Sequence, residues 1–143
     1  MALPNGAGIP SSFLRTYRVL AANTVRQGMS VVFSGTDVVE AATDDQSIIG
    51  IAYGAPAGTW PVAALGQVEV VLLGSPCACL VRSTAAGLTA GGYCCPGAAG
   101  AVDVVIGGAV LCNVIGQVLQ TATAAGELVE VNLGSGGPTV TAA

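Results

Sequence analysis

Residues 37–50 can be laid on residues 103–116 without a gap, and five of those fourteen positions are identical: Asp37, Val38, Val39, Ile49 and Gly50 against Asp103, Val104, Val105, Ile115 and Gly116. Neighbouring segments fall into line. Arg18, Ala21 and Ala22 match Arg82, Ala85 and Ala86, and Gly28 matches Gly91. Val68-Glu69-Val70 and Leu73-Gly74-Ser75 match Val129-Glu130-Val131 and Leu133-Gly134-Ser135. A chain that repeats in this way builds one supersecondary unit twice, and each unit needs the other to bury its apolar face. The pseudo-repeats run over 17–75 and 81–135. They form a single β domain over 17–135, because 143 residues allow one core but not two independent ones.

Each unit reads as β. Valine, isoleucine and threonine make up 37 residues, while 21 glycines and 7 prolines interrupt any run of helical length. Val68, Val70 and Leu72 alternate with Gln67 and Glu69, and Val129, Val131 and Leu133 alternate around Glu130, the period of a half-buried strand. About five short strands per unit follow. The fold class is all-β, a small barrel or sandwich built from two sequence-related β units, either of which buries both apolar faces and limits free edges. The two Leu-Gly-Ser ends are out of step by one residue, which predicts a bulge near Leu72 or Leu73. Residues 1–16 are expected to form an extended N-terminal arm and residues 136–143 a flexible C-terminal tail.

Only 8% of the residues are charged, against roughly 25% in an ordinary soluble domain. The net charge is −4, with neither lysine nor histidine. So apolar a chain does not stay disordered. Four arginines against eight carboxylates cannot neutralise a run of phosphates, so no nucleic-acid partner is expected. Residues 104–126 are uncharged and long enough for a bilayer, but Gly107, Gly108, Asn113, Gly116, Gln117 and Gln120 break the run and no basic cluster flanks it. No membrane span and no secretory leader is read from the sequence. Arg15, Arg18 and Arg26 lie in the first 26 residues, which hold no carboxylate, giving +3 there and 1 − 8 = −7 in the remainder. With so little ionic surface, much of the exterior is expected to be covered by something else.

No catalytic residue, cofactor or metal site is read from the chain. Its serines lack a histidine or lysine base. Glu69 and Glu130 occupy equivalent strand positions and could be a hydrolytic carboxylate pair, but acids alternating with buried valines are what any solvated strand face shows. Asp44 and Asp45 read likewise as loop solvation. Cys77, Cys79, Cys94, Cys95 and Cys112 lack the paired spacing of zinc sites and lie among small apolar residues, so they are expected to be buried reduced thiols, with a soft-metal cluster or a disulfide as the alternatives. Gly91-Gly92 and Gly107-Gly108 read as turns, since no phosphate-loop lysine follows them. Trp60 and Tyr53 could touch a ligand, but a lone tryptophan between prolines more often pins a loop or fills an interface.

The order Ile49-Gly50-Ile51-Ala52, an Ala/Gly-rich loop and Val68-Glu69-Val70, then Ile115-Gly116-Gln117-Val118 and Val129-Glu130-Val131, resembles the capsid cement or decoration proteins of tailed bacteriophages. Gly28-Met29-Ser30-Val31-Val32 and its partner around residues 91–95 extend the resemblance over residues 17–135. It implies a β-rich structural protein of the virion, made in the host cytoplasm, that binds the outside of the shell. Its partners would be the major capsid protein and its own copies, as a trimer, with no enzymatic activity. Phe13, Leu14, Arg15, Tyr17 and Arg18 on the arm, with Trp60, are the expected contacts to the shell or to a sister subunit; for the arm the alternative is a strand paired within its own domain. Another virion β module, of the tail or fibre, and a carbohydrate-binding domain are the other readings.

Overall fold

The computed structural model describes residues 9–42, 47–84, 88–97, 100–103, 110–135 and 139–142. The fold is all-β, with 49% strand and 5% helix, in two five-stranded antiparallel sheets, one of them curled into a half-barrel. The first unit holds β1 (Leu14–Arg18), β2 (Ser30–Ser34), β3 (Asp37–Glu40), β4 (Ile48–Gly54) and β5 (Gln67–Leu72). The second holds β6 (Ala78–Arg82), β7 (Tyr93–Gly97), β8 (Gly100–Asp103), β9 (Val110–Asn113), β10 (Gly116–Val118) and β11 (Leu128–Asn132), and β12 (Thr139–Ala142) follows. Sheet one runs β1-β5-β4-β2-β3 and sheet two β6-β11-β10-β7-β8, the same order with β9 set aside to pair with β12.

The repeat extends to individual bonds. Val19 bridges Val38 in parallel, and Ser83 bridges Ala101. The next amides, of Leu20 and Thr84, donate to the Val38 and Ala101 carbonyls at 3.1 and 3.0 Å. These bonds draw the two edges of each sheet together, which limits free edge. Gly28 and Gly91 adopt φ of 80° and 91° and donate to Ala52 and Val118 at 2.8 and 2.7 Å. Such a left-handed turn favours glycine, which explains why this residue recurs.

One part of the sequence match is displaced. Val31 pairs with Glu40 and Gly50, and Cys94 with Asp103 and Gly116, so the counterpart of Asp103 is Glu40 rather than Asp37. Glu40 and Gly50 are ten positions apart, Asp103 and Gly116 thirteen. The ungapped match is therefore right at Ile-Gly and slips by three at Asp-Val-Val, and the extra length falls where β9 lies. The register shifts come between Val31 and Val32 and between Ala52 and Gly54, not near Leu72 or Leu73.

Val19, Val25, Val31, Val38, Ala52, Val62, Val68 and Val70 form a core inside the first unit. Seven counterparts, Leu88, Cys94, Ala101, Val118, Ala122, Val129 and Val131, belong to a larger core, which also takes Ile48, Ile51, Tyr53 and Val71 from the first unit. Strand β4 is thus buried on both faces, which is why it reads as a continuous apolar run. Across the units, the Arg82 amide donates to Gly28 at 2.9 Å, Arg82 Nε to the Gln27 carbonyl at 3.0 Å, and the Ile48 amide to Asn113 Oδ1 at 3.0 Å. The counterparts of Ile51 and Val71 in the second unit are Gln117 and Asn132, both partly exposed.

The Tyr53 side chain, 5% exposed, carries a hydroxyl with no hydrogen-bond partner. A buried unpaired hydroxyl costs about 1–3 kcal/mol. Tyr53→Phe is therefore expected to stabilise the fold by about 1 kcal/mol, read as a higher urea midpoint at unchanged slope.

Residues 14–16, placed in the arm by the sequence, belong to β1, and Leu14 and Ile9 pack on the larger core. A 3-10 turn at Ser11–Phe13 precedes them, closed by the Phe13 amide on Pro10 at 3.0 Å. Within the expected tail, Thr139–Ala142 pairs with β9. Residues 1–8, Asp44, Asp45, Ala85, Ala86, Val104, Val105 and residues 136–138 lie outside the described residues. Among the described residues no helix is long and apolar enough to cross a membrane, and the run 104–126 supplies strands at Val110–Asn113 and Gly116–Val118.

Candidate docking surface

Five of the six expected contact residues lie on or beside β1, an edge strand of its sheet. Arg15 is exposed, and its Nη1 donates to the carbonyls of Ser12 at 3.2 Å and Leu14 at 2.8 Å. A charged group over edge carbonyls blocks another strand from adding there. Phe13 is half-buried in its turn, and Leu14 faces the larger core. Tyr17 rests on the smaller core and meets Phe33 edge-on, with centroids 5.2 Å apart and planes at 84°. Trp60, on the long loop between β4 and β5, rests on that same core. The fold thus brings Tyr17 and Trp60 onto one cluster and assigns Leu14 to the other.

Charge that is segregated along the sequence is paired in space. Arg18 holds Asp37 through Nε and Nη2 at 3.0 and 3.1 Å. Arg26 holds Glu40 through its amide at 2.8 Å and through Nε and Nη2 at 3.1 Å each. Both guanidinium groups are raised above their ordinary pKa, chiefly by these carboxylate bonds. Arg82 is lowered, first by burial and then by Arg26 nearby. Glu127 is lowered because its carboxylate accepts from the Thr123 amide and hydroxyl at 2.6 and 2.9 Å and from the Ala124 amide at 3.2 Å. Little positive charge is left to attract an anionic partner.

Large apolar side chains are exposed instead: Leu65 58%, Phe33 49%, Leu119 48% and Tyr93 45%. Tyr93 pairs with Gln117, and Leu119 stands two residues further along, so all three share one sheet face. Leu65 has a different setting. Residues 19–25 and 60–66 face each other, pinned by the Val25–Val62 bridge and by the Leu65 amide on Val19 at 2.9 Å. Neither segment contains a charged residue, and Ala21, Ala22, Ala63 and Ala64 are exposed beside Leu65.

Ala22 and Leu65, at φ 65° and 63°, are the two non-glycine residues with positive φ among the described residues, and both are on this tip. The second unit makes the same turn with Gly126 at φ 80°: the Gly126 amide donates to Ser83 at 2.8 Å as that of Leu65 does to Val19. A left-handed conformation costs a leucine about 1–2 kcal/mol and glycine almost nothing. The turn does not require leucine, so the first unit carries both strain and a wet apolar side chain where its sister carries neither. Sequence reasoning missed Leu65, Phe33, Tyr93 and Leu119. Extending the repeat upstream, Ala63-Ala64-Leu65-Gly66 over Ala124-Ala125-Gly126-Glu127, contains the signal for Leu65.

Other chemistry finds little footing. Glu69 and Glu130 lie on β5 and β11, in separate sheets. Cys79, Cys94 and Cys95 are buried as expected, while Cys77 is only partly so; the Cys112 side chain lies outside the described residues. Burial pushes Cys77 up, and pushes Cys79 to about 12. Among the described residues no group of three or more cysteine, aspartate or glutamate side chains could hold a metal ion. No protein-family model matches the chain, and no curated protein matches it in sequence.

Proposed function

We propose that this chain is a structural virion protein that binds the outside of a tailed-bacteriophage capsid, as a trimer, and stabilises the shell. One observation supports the reading most. The four arginines all bond within the fold, with Arg18 on Asp37, Arg26 on Glu40 and Arg15 and Arg82 on backbone carbonyls, while Phe33, Leu65, Tyr93 and Leu119 stand about half exposed. A solitary protein seldom exposes groups of large apolar side chains, whereas one that works inside an assembly covers them. The all-β repeat agrees with the resemblance carried by Ile49-Gly50, Ile115-Gly116 and the two Val-Glu-Val strands.

The mechanism needs no turnover. A ligand that binds the assembled shell and not the free subunits stabilises it by mass action, and three linked copies raise the effective concentration of each contact. The test is co-sedimentation of purified chain with expanded, DNA-free heads of the phage that encodes it. Saturable binding at a fixed ratio to the shell subunit is expected; protein remaining in the supernatant at all loads overturns the proposal.

A further inference from the structure

We infer that the tip formed by residues 19–25 and 60–66, two segments without a charged residue, is a surface on which a second copy of this chain docks, with Leu65 as its apolar anchor. The inference deepens the reading of the chain as an assembling structural protein, because it names one partner and the surface it uses.

Three observations converge on the tip. Leu65 is 58% exposed and left-handed at φ 63°, while the equivalent residue, Gly126, makes the same backbone bond without strain. Strain retained where the fold does not need it marks a side chain kept for what it touches. The tip also differs in chemistry from its counterpart. Gln120, Thr121, Thr123 and Glu127 dress the second unit's loop, and Glu127 folds back on Thr123, whereas residues 55–66 contain no charge. Finally, Ala21, Ala22, Ala63 and Ala64 in the same two segments are exposed, so small apolar side chains accompany the leucine on the tip.

The occupant follows from charge and from continuity with an interface the chain already uses. The arginines that flank the tip, Arg18 and Arg26, are held by Asp37 and Glu40, so the tip offers no unpaired charge to select nucleic acid or an anionic membrane, and it suits a partner as poor in charge as itself. The loop that forms half of the tip continues through Arg26, which is held by Glu40, into Gln27 and Gly28, whose carbonyls hold Arg82 of the second unit at 3.0 and 2.9 Å. Leu128 packs over Gly28 at the same place, its Cδ2 lying 2.5 Å from where a Cβ would stand. One half of this loop therefore already binds a sequence-related copy of its own unit, and the other half is open. A second chain seated there extends the same contact outward. Copies related by a closed rotation would cover every tip, while an unclosed one would give fibres.

The test uses the full chain and sedimentation equilibrium. Leu65→Gly installs the residue its sister unit carries, so melting at or above the wild-type midpoint is expected. Leu119→Thr, on the other exposed face, is the control. Wild type should associate reversibly, Leu65→Gly should weaken association about tenfold or more, and Leu119→Thr should change it little. Unaltered association in Leu65→Gly overturns the inference. So does a wild-type chain that stays monomeric at every concentration; if Leu65→Gly then also loses attachment to expanded heads, the tip belongs to the shell contact instead. Attachment to heads is measured separately, so failure of the capsid reading and failure of the tip are told apart.

Discussion

Gly50→Ala is expected to destabilise the fold by about 3 kcal/mol or more, and Gly116→Ala by a similar amount. A Cβ on Gly50 would run into the Val71 carbonyl oxygen, and one on Gly116 into the Asn132 carbonyl oxygen, the same neighbour in each unit. Both obstacles are backbone atoms of the paired neighbouring strand, so no rotamer change relieves them; the strands must separate. Set against a total stability of roughly 5–15 kcal/mol, that loss leaves little folded protein at moderate temperature. Gly35→Ala is the control. It places a Cβ in open space at φ 64° and is expected to cost about 1 kcal/mol of backbone strain. Urea unfolding of the three variants checks this, and a Gly50→Ala midpoint no lower than that of Gly35→Ala contradicts the close-approach reading.

Alkaline pH is expected to unfold the protein, with Cys79 as a principal cause. Burial raises its thiol from the ordinary 9.0 to about 12. Below pH 9 the thiol is protonated whether the chain is folded or not, and the full contribution is present. Between pH 9 and 12 the unfolded chain releases this proton and the folded chain keeps it, so stability falls by about 1.4 kcal/mol per pH unit, about 4 kcal/mol across the window. Cys79→Ala removes that slope at the cost of a small cavity. Unfolding free energies measured from pH 8 to 11 should fall less steeply in Cys79→Ala than in wild type. Parallel curves would show that Cys79 ionises as readily in the fold as outside it.

Recurring glycines and alternating valines made the architecture legible in the sequence. Gly50 and Gly116 recur because the next strand's carbonyl leaves no room, and Gly28 and Gly91 recur because the turn needs positive φ. Val68 and Val70 recur as Val129 and Val131 because both pairs face a core. These constraints act on single residues, so they survive in the letters of the chain. The register of β3 against β8 did not survive. Asp37-Val38-Val39 and Asp103-Val104-Val105 match in type, but pairing is decided by hydrogen bonds to β2 and β7, which place Glu40 opposite Val31 and Asp103 opposite Cys94. The candidate surface was legible only in part. Trp60 stood out as a lone aromatic between prolines, but the exposure of Leu65 depends on two loops meeting across the Val25–Val62 bridge. The arginines looked free because their carboxylate partners lie 14 to 19 residues away.

The capsid reading is tested most directly by heating expanded, DNA-filled heads of the encoding phage with and without the purified chain and recording DNA release with an intercalating dye. Saturating protein is expected to move the release midpoint several degrees higher, with the shift following occupancy. Identical release curves at full occupancy would show that the chain decorates without reinforcing, and would contradict a cement function.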